Sequence, residues 1–320
     1  MNRTQLNSVS AKRGERITKR RYNMTTSSKT KGKKQPSQAS RLGKIAKAPF
    51  SVESPERHAR LSQDVARAAR TLGESEVRFL VDYYYELQED RKRSGNQLLA
   101  LAEAEEPHEL IRWLYTNVKT DEDNIKKSLT LWLEGQSLAE WCQSIRGIGP
   151  VISAGLMANI DITKAPTVGH IWRFAGLDPT LSWEKKTKRP WNARLKTLCW
   201  KIGESFVKTC NFEDSFYGPL YVERKVFEEA RNVAGYNKTA AAEKLAKYKI
   251  GKDTDAYKAY SKGKLPPAHI HSRAKRWAVK LFLAHYHHVA YEIEYKTPPP
   301  KPYILTQENH VHEIAPPNWG

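Results

Sequence analysis

Cysteine is scarce in this chain. Cys142, Cys199 and Cys210 are the only three in 320 residues, and no two stand at CxxC spacing. That argues against a disulfide framework and reads as reduced, buried thiols of a cytosolic protein. Long apolar runs are lacking too. None approaches the roughly 20 residues that a membrane-spanning helix needs. The first residues lack the apolar stretch of a secretory signal. No run of alternating apolar and polar residues marks a strand. Acids are outnumbered: 35 Asp and Glu face 54 Lys and Arg, a formal net charge of +19. An excess of this size favours polyanionic partners, meaning nucleic acid or an acidic membrane surface. The membrane option has no support, because the most basic segment has almost no apolar face. The expected location is cytoplasmic, either nucleoid-associated or, for a phage-encoded chain, the host cytoplasm.

What is present divides the chain into four parts. Residues 1–49 carry fourteen Lys and Arg against one acid, Glu15, and read as a disordered basic arm with non-specific affinity for nucleic acid. Residues 50–135 read as a helical region. Val77, Leu80, Tyr84 and Leu87 recur at helical spacing. Two further helices are expected, one beginning near Pro107 and one over DEDNIKKSLTLWLEG, closed by Gly135. Residues 136–295 hold more helices, including WNARLKTLCWKIGESFVK and a long one after Pro266 and Pro267. Residues 296–320, opening on KTPPPKP, read as a Pro-rich extended tail. The expected fold class is mostly α, a multi-helix domain containing a helix-hairpin-helix.

The stretch SIRGIGPVISAGLMANID, residues 144–161, carries the chemistry. Two helical segments, 136–145 and 150–160, are joined by Gly147, Ile148 and Gly149. Glycine permits positive φ and lets a phosphate approach without a Cβ in the way. The first N–H groups of the second helix, near Val151, lack intrahelical partners and favour an anion. Such a turn grips a backbone phosphate without reading bases. A glycine turn that only packs two helices is the plainer alternative.

The segments GIGPVISAGLMANIDI (147–162), FAGLDP (174–179), the basic SWEKKTKRPWNARLKTLCW (182–200) and HSRAKRWAVKLFL (271–283) occur in that order. In this combination the chain resembles, over roughly 140–290, the C-terminal domain of the transposases of the insertion-sequence 110/116/902 group. The resemblance implies a helix-hairpin-helix that binds DNA, a nucleophilic serine after the AGLxP element, and work with a structured guide RNA. It also marks two departures. The family's N-terminal RuvC-like domain, with its acidic metal-binding set, has no counterpart here. Ser182 stands where the serine is sought, but Trp183 follows it instead of glycine.

Three functional readings follow. The preferred one is a DNA-binding protein related to the transposases and recombinases of mobile elements. Its contacts are Gly147, Ile148, Gly149 and Val151 in the turn, and Lys185, Lys186, Lys188 and Arg189 in the basic loop. Arg194 and Lys201 lie on one helix, and Arg273, Arg276 and Lys280 on another. Trp183 and Trp191 flank the basic loop, where stacking on unpaired bases competes with plain core packing. The second reading is a serine recombinase using Ser182, working as a homo-oligomer or with a partner recombinase chain. The third is a module that binds structured RNA. No cofactor is expected. Seven histidines, His269, His271, His285, His287, His288, His310 and His312, crowd the C-terminal part, yet no carboxylate or cysteine completes a divalent-metal ligand set.

Overall fold

The computed structural model describes residues 37–48, 50, 56–106, 108–300 and 314–320. They contain twelve α-helices and, among the described residues, no strand. The chain divides into two units, residues 1–49 and 50–320. In the first, α1 (Gln38–Lys47) corrects part of the expected disordered arm. Ser37 caps it by accepting from the Ser40 N–H, while Arg41, Lys44 and Lys47 keep it basic. Residues 1–36 of the arm lie outside the described residues.

The second unit begins with α2 (Gln63–Ala68), then the long antiparallel pair α3 (Glu74–Glu103) and α4 (Glu109–Leu133). The two helices expected between Pro107 and Gly135 are one. Thr116 and Thr120, β-branched residues that weaken the sequence pattern, keep their hydroxyls on the carbonyls four residues back. The helical hydrogen bonds therefore continue across the polar TDED segment. Val77, Val81, Leu129 and Leu133 fill the seam between the pair.

Next come α5 (Ser137–Ser144) and α6 (Pro150–Asn159), close to the expected 136–145 and 150–160. After α7 (Val168–Phe174) and the basic loop come α8 (Ala193–Thr209) and α9 (Tyr217–Val233). Two short helices, α10 (Lys238–Lys247) and α11 (Asp255–Ser261), lead to α12 (Pro267–Tyr295). Trp141, Leu198, Phe206, Tyr217 and Phe282 meet in the main core, where Trp141 stacks on Phe282 at 5.9 Å between centroids. Cys142 and Cys199 are buried there, and burial pushes the Cys199 thiol up to about 12. Cys210 is half-buried, against the expectation of three buried thiols.

The small residues of α6 decide its position. Ala154, Gly155 and Ala158 let it lie inside a ring of α3, α4, α5 and α8. A Cβ on Gly155 would stand 2.8 Å from Leu198 Cδ2 and 3.3 Å from Val81 Cγ1. Arg78 of α3 donates to the Ala158 carbonyl, so a cation sits at the C-terminal end of α6. Asn192 caps α8 through the Arg194 and Leu195 N–H groups and donates to Asn159 at 3.1 Å.

The chain end returns to the core. Trp141 Nε1 donates to the Pro317 carbonyl at 2.8 Å, and Trp319 Nε1 donates to Glu292 at 2.6 Å. His285 Nε2 donates to the Ile314 carbonyl at 2.7 Å, and its Nδ1 accepts from the Tyr217 hydroxyl at 2.7 Å. Burial holds the His285 imidazole down at about 4, with His288 acting in the same direction. An unfolded histidine titrates near 6.5, so the unfolded chain takes up this proton first. The stabilisation is complete above about pH 6.5, is lost as pH falls toward about 4, and then levels off. The loss is about 3 kcal/mol. Unfolding free energies from urea titrations at pH 7.5 and 4 are expected to fall in the wild type and to fall about 3 kcal/mol less in His285→Gln.

Candidate nucleic-acid interface

Residues 145–149 form the turn between α5 and α6. Ile145 and Ile148 bury their side chains in the core, which fixes the turn from inside. Gly147 has φ +95°, a conformation that disfavours any residue with a side chain. A Cβ there would also meet Ser205 Oγ at 2.8 Å. That hydroxyl donates to the Gly147 carbonyl at 2.6 Å and ties the turn to α8. Gly149 differs. Its φ is −96°, and nothing lies within 4 Å of where a Cβ would stand. Gly147 is therefore a packing and turn residue, whereas Gly149 borders open space.

That space is a cleft of about 390 Å³. Gly149, Pro150, Val151 and Ile152 form one side of it. Pro150 begins α6, so the first free donors of the helix are the N–H groups of Val151 and Ile152. The Val151 side chain is buried, so only its backbone bears on a ligand. Ile148 is buried too, but its N–H donates to the Ile145 carbonyl at 2.9 Å and it does not line the cleft. Lys92 of α3, Lys126 of α4, and Lys201 and Lys208 of α8 line the rest, with Tyr84, Tyr85 and Trp200. Two acids, Glu89 and Glu204, share the cleft. Lys92 holds Glu89 and Lys275 holds Glu204, and each pairing keeps its carboxyl below the usual range. Lys126, Lys201 and Lys208 have no carboxylate partner among the described residues. Lys201 lies 4.3 Å over the Tyr85 ring. Burial, then the charge of Lys92, draws its ammonium below the ordinary lysine range, so an incoming anion relieves both effects.

The other expected contacts divide. Lys185, Lys186 and Lys188 stand exposed on the loop before α8. Arg189 covers Trp183 at 5.3 Å. The fields of Arg189 and Arg276 both act on Lys196, and that of Arg276 on Lys280, so the loop and α12 build a second basic cluster. Lys280 lies 4.1 Å over Trp172. Arg194 and Arg273 each have a partner within the fold. Arg194 pairs with Asp82 at 2.8 Å, so its charge joins α8 to α3. Arg273 donates to Asn237 at 2.8 Å and stands 3.6 Å from the buried Glu228, a carboxylate that needs a nearby cation. Arg146, the one cation inside the turn, faces Asp214 at 3.1 Å and Phe212. Trp183 is exposed and donates to the Thr187 carbonyl, whereas Trp191 packs against Gly176.

Ser182 lies on the exposed part of the basic loop, with no hydrogen bond to a histidine, lysine or carboxylate among the described residues. No activating base is hydrogen-bonded to it among the described residues. Among the described residues no three His, Cys, Asp or Glu side chains come together as a metal-binding group. His269 and His271 bond to tyrosines, His287 to the Ala165 carbonyl and His288 to Glu292. His310 and His312 lie outside the described residues. Among the described residues no helix is long and apolar enough to cross a membrane.

Lys92, Lys126, Trp200 and Ser205 join the cleft without having been read as contacts from the sequence. Lys208 repeats the seven-residue spacing of Arg194 and Lys201, a signal that pointed to it. The others come from separate helices and leave no local signature. Ser205→Ala removes the tie to Gly147 and is expected to cost about 1 kcal/mol in urea unfolding while leaving helix content by circular dichroism unchanged. No family model matches the sequence, and no curated protein or solved structure matches it either.

Proposed function

We propose that this chain is a DNA-binding protein related to the transposases and recombinases of mobile elements, and that its 145–152 segment acts as a helix-hairpin-helix. One observation carries the reading. The free N–H groups at the start of α6 open into a cleft that Lys92, Lys126, Lys201 and Lys208 surround from three other helices. An anion there meets the positive end of a helix dipole and several ammonium groups in one place. The opposite end of α6 already has its cation in Arg78, so the dipole leaves its unmet charge at the cleft. A second basic cluster, Arg189 and Lys196 with Arg276 and Lys280, offers further phosphates a place to rest. Nothing in such contacts depends on base identity. The serine-recombinase reading has no comparable support, because no activating base is hydrogen-bonded to Ser182 among the described residues.

Gly149→Asp tests the grip. Aspartate is a favoured N-cap, so the substitution is expected to leave the thermal midpoint unchanged or slightly raised. Its carboxylate also occupies the donors at the start of α6 and places a negative charge in the cleft. The expected outcome is a loss of duplex-DNA affinity of tenfold or more at 100 mM salt. The combined Lys126→Gln, Lys201→Gln, Lys208→Gln variant is expected to flatten the log K against log salt plot by about one unit per lysine engaged. Unchanged DNA affinity in both variants reduces the turn to a packing element. Purified protein carrying nucleic acid that RNase removes and DNase leaves replaces DNA with RNA as the partner.

A further inference from the structure

The same cleft has a feature that phosphate contacts do not use. Trp200 lines it and is 54% exposed, although α8 offers a full apolar face to the core through Leu195, Leu198, Cys199, Ile202 and Phe206. A large aromatic ring on the solvent side of such a helix gains little from the fold. Its N–H has no protein partner among the described residues. Two cations border the ring: Lys275 Nζ lies 5.2 Å and Lys201 Nζ 5.9 Å from its centroid. The other aromatics are engaged elsewhere. Tyr85 is mostly buried beneath Lys201, and Tyr84 packs edge-on against Tyr85. Trp200 is thus the one aromatic of the cleft with a broadly exposed ring.

Size narrows the occupant. At about 390 Å³ the cleft lies near the lower end of small-ligand pockets, which run from about 300 to 1,000 Å³, and does not enclose a duplex. Its chemistry is that of a nucleotide: ammonium groups for the phosphate and an aromatic face for a base. Stacking on an indole is sequence-tolerant, in keeping with a surface that reads no bases.

We propose that the cleft holds one unpaired nucleotide of a DNA strand, with its phosphate against Lys126, Lys201 and Lys208 and its base stacked on Trp200. This rests on the DNA-binding reading above and adds the substrate class: DNA with a single-stranded segment, such as a flap, a gap or an opened end. Duplex DNA offers the cleft a phosphate but no free base, so Trp200 contributes only to the unpaired form.

The test compares the full chain with Trp200→Ala and Trp200→Phe by anisotropy of a labelled 15-nucleotide oligo-dT and a labelled 15-bp duplex at 100 mM salt, with dTMP as competitor. Trp200 is exposed, so both variants are expected to keep the wild-type melting curve. The expected result is a tenfold or greater loss of oligo-dT affinity in Trp200→Ala, with duplex affinity within twofold of wild type. Trp200→Phe keeps a stacking ring and recovers most of that loss. Millimolar dTMP leaves the oligo-dT complex intact, because one nucleotide lacks the contacts that flanking phosphates make. Equal losses on both DNAs, or none on oligo-dT, overturn the proposal while duplex binding that is sensitive to Gly149→Asp leaves the wider reading standing. Displacement of oligo-dT by micromolar dTMP overturns it in favour of a free-nucleotide pocket. A wild type that binds neither DNA removes both.

Discussion

The close packing of one short helix governs the geometry around it. α6 is ten residues long, and six of its residues are buried. Gly155 helps it fit by presenting no Cβ to Leu198 and Val81. Burial on nearly all sides means that its two ends point where the surrounding helices allow. The C-terminal end meets Arg78 and the Asn159–Asn192 link. The N-terminal end is left facing the gap between α3, α4 and α8. An uncompensated helix start enclosed by lysines is thus a consequence of core packing, with no separate binding loop.

The charge distribution follows a similar division. Several of the basic side chains find partners within the fold. Arg194 joins two helices through Asp82, Arg273 serves the buried Glu228, and Arg146 turns to Asp214. Lys126, Lys201 and Lys208 of the cleft are different because the acids near them are already taken, Glu89 by Lys92 and Glu204 by Lys275. A high formal charge therefore becomes local potential only where the carboxylates have been claimed.

The sequence by itself determined the helical class and the two segments around GIG. Those features are local: a period of three to four residues, two glycines and a proline act within a few residues of themselves. It also marked Lys201, because Arg194, Lys201 and Lys208 repeat along one helix. Local signals misled where they were weak. The polar TDED segment looked like a break, yet α4 runs through it because α3 pays back its ordering by packing along its whole length. Residues 37–48 looked too polar to order, yet they form a capped helix.

Tertiary structure alone decided which charges remain free and what they surround. Lys92, Lys126 and Trp200 come from three helices more than 100 residues apart at the extremes, and nothing in their neighbours foretells that they share a cleft. The two glycines of the turn look alike in sequence. Only the fold separates Gly147, held against Ser205, from Gly149, open to solvent. The physical reason is that periodicity sets which way a side chain leaves its own helix, whereas an ion pair or a cavity depends on what another helix brings to meet it.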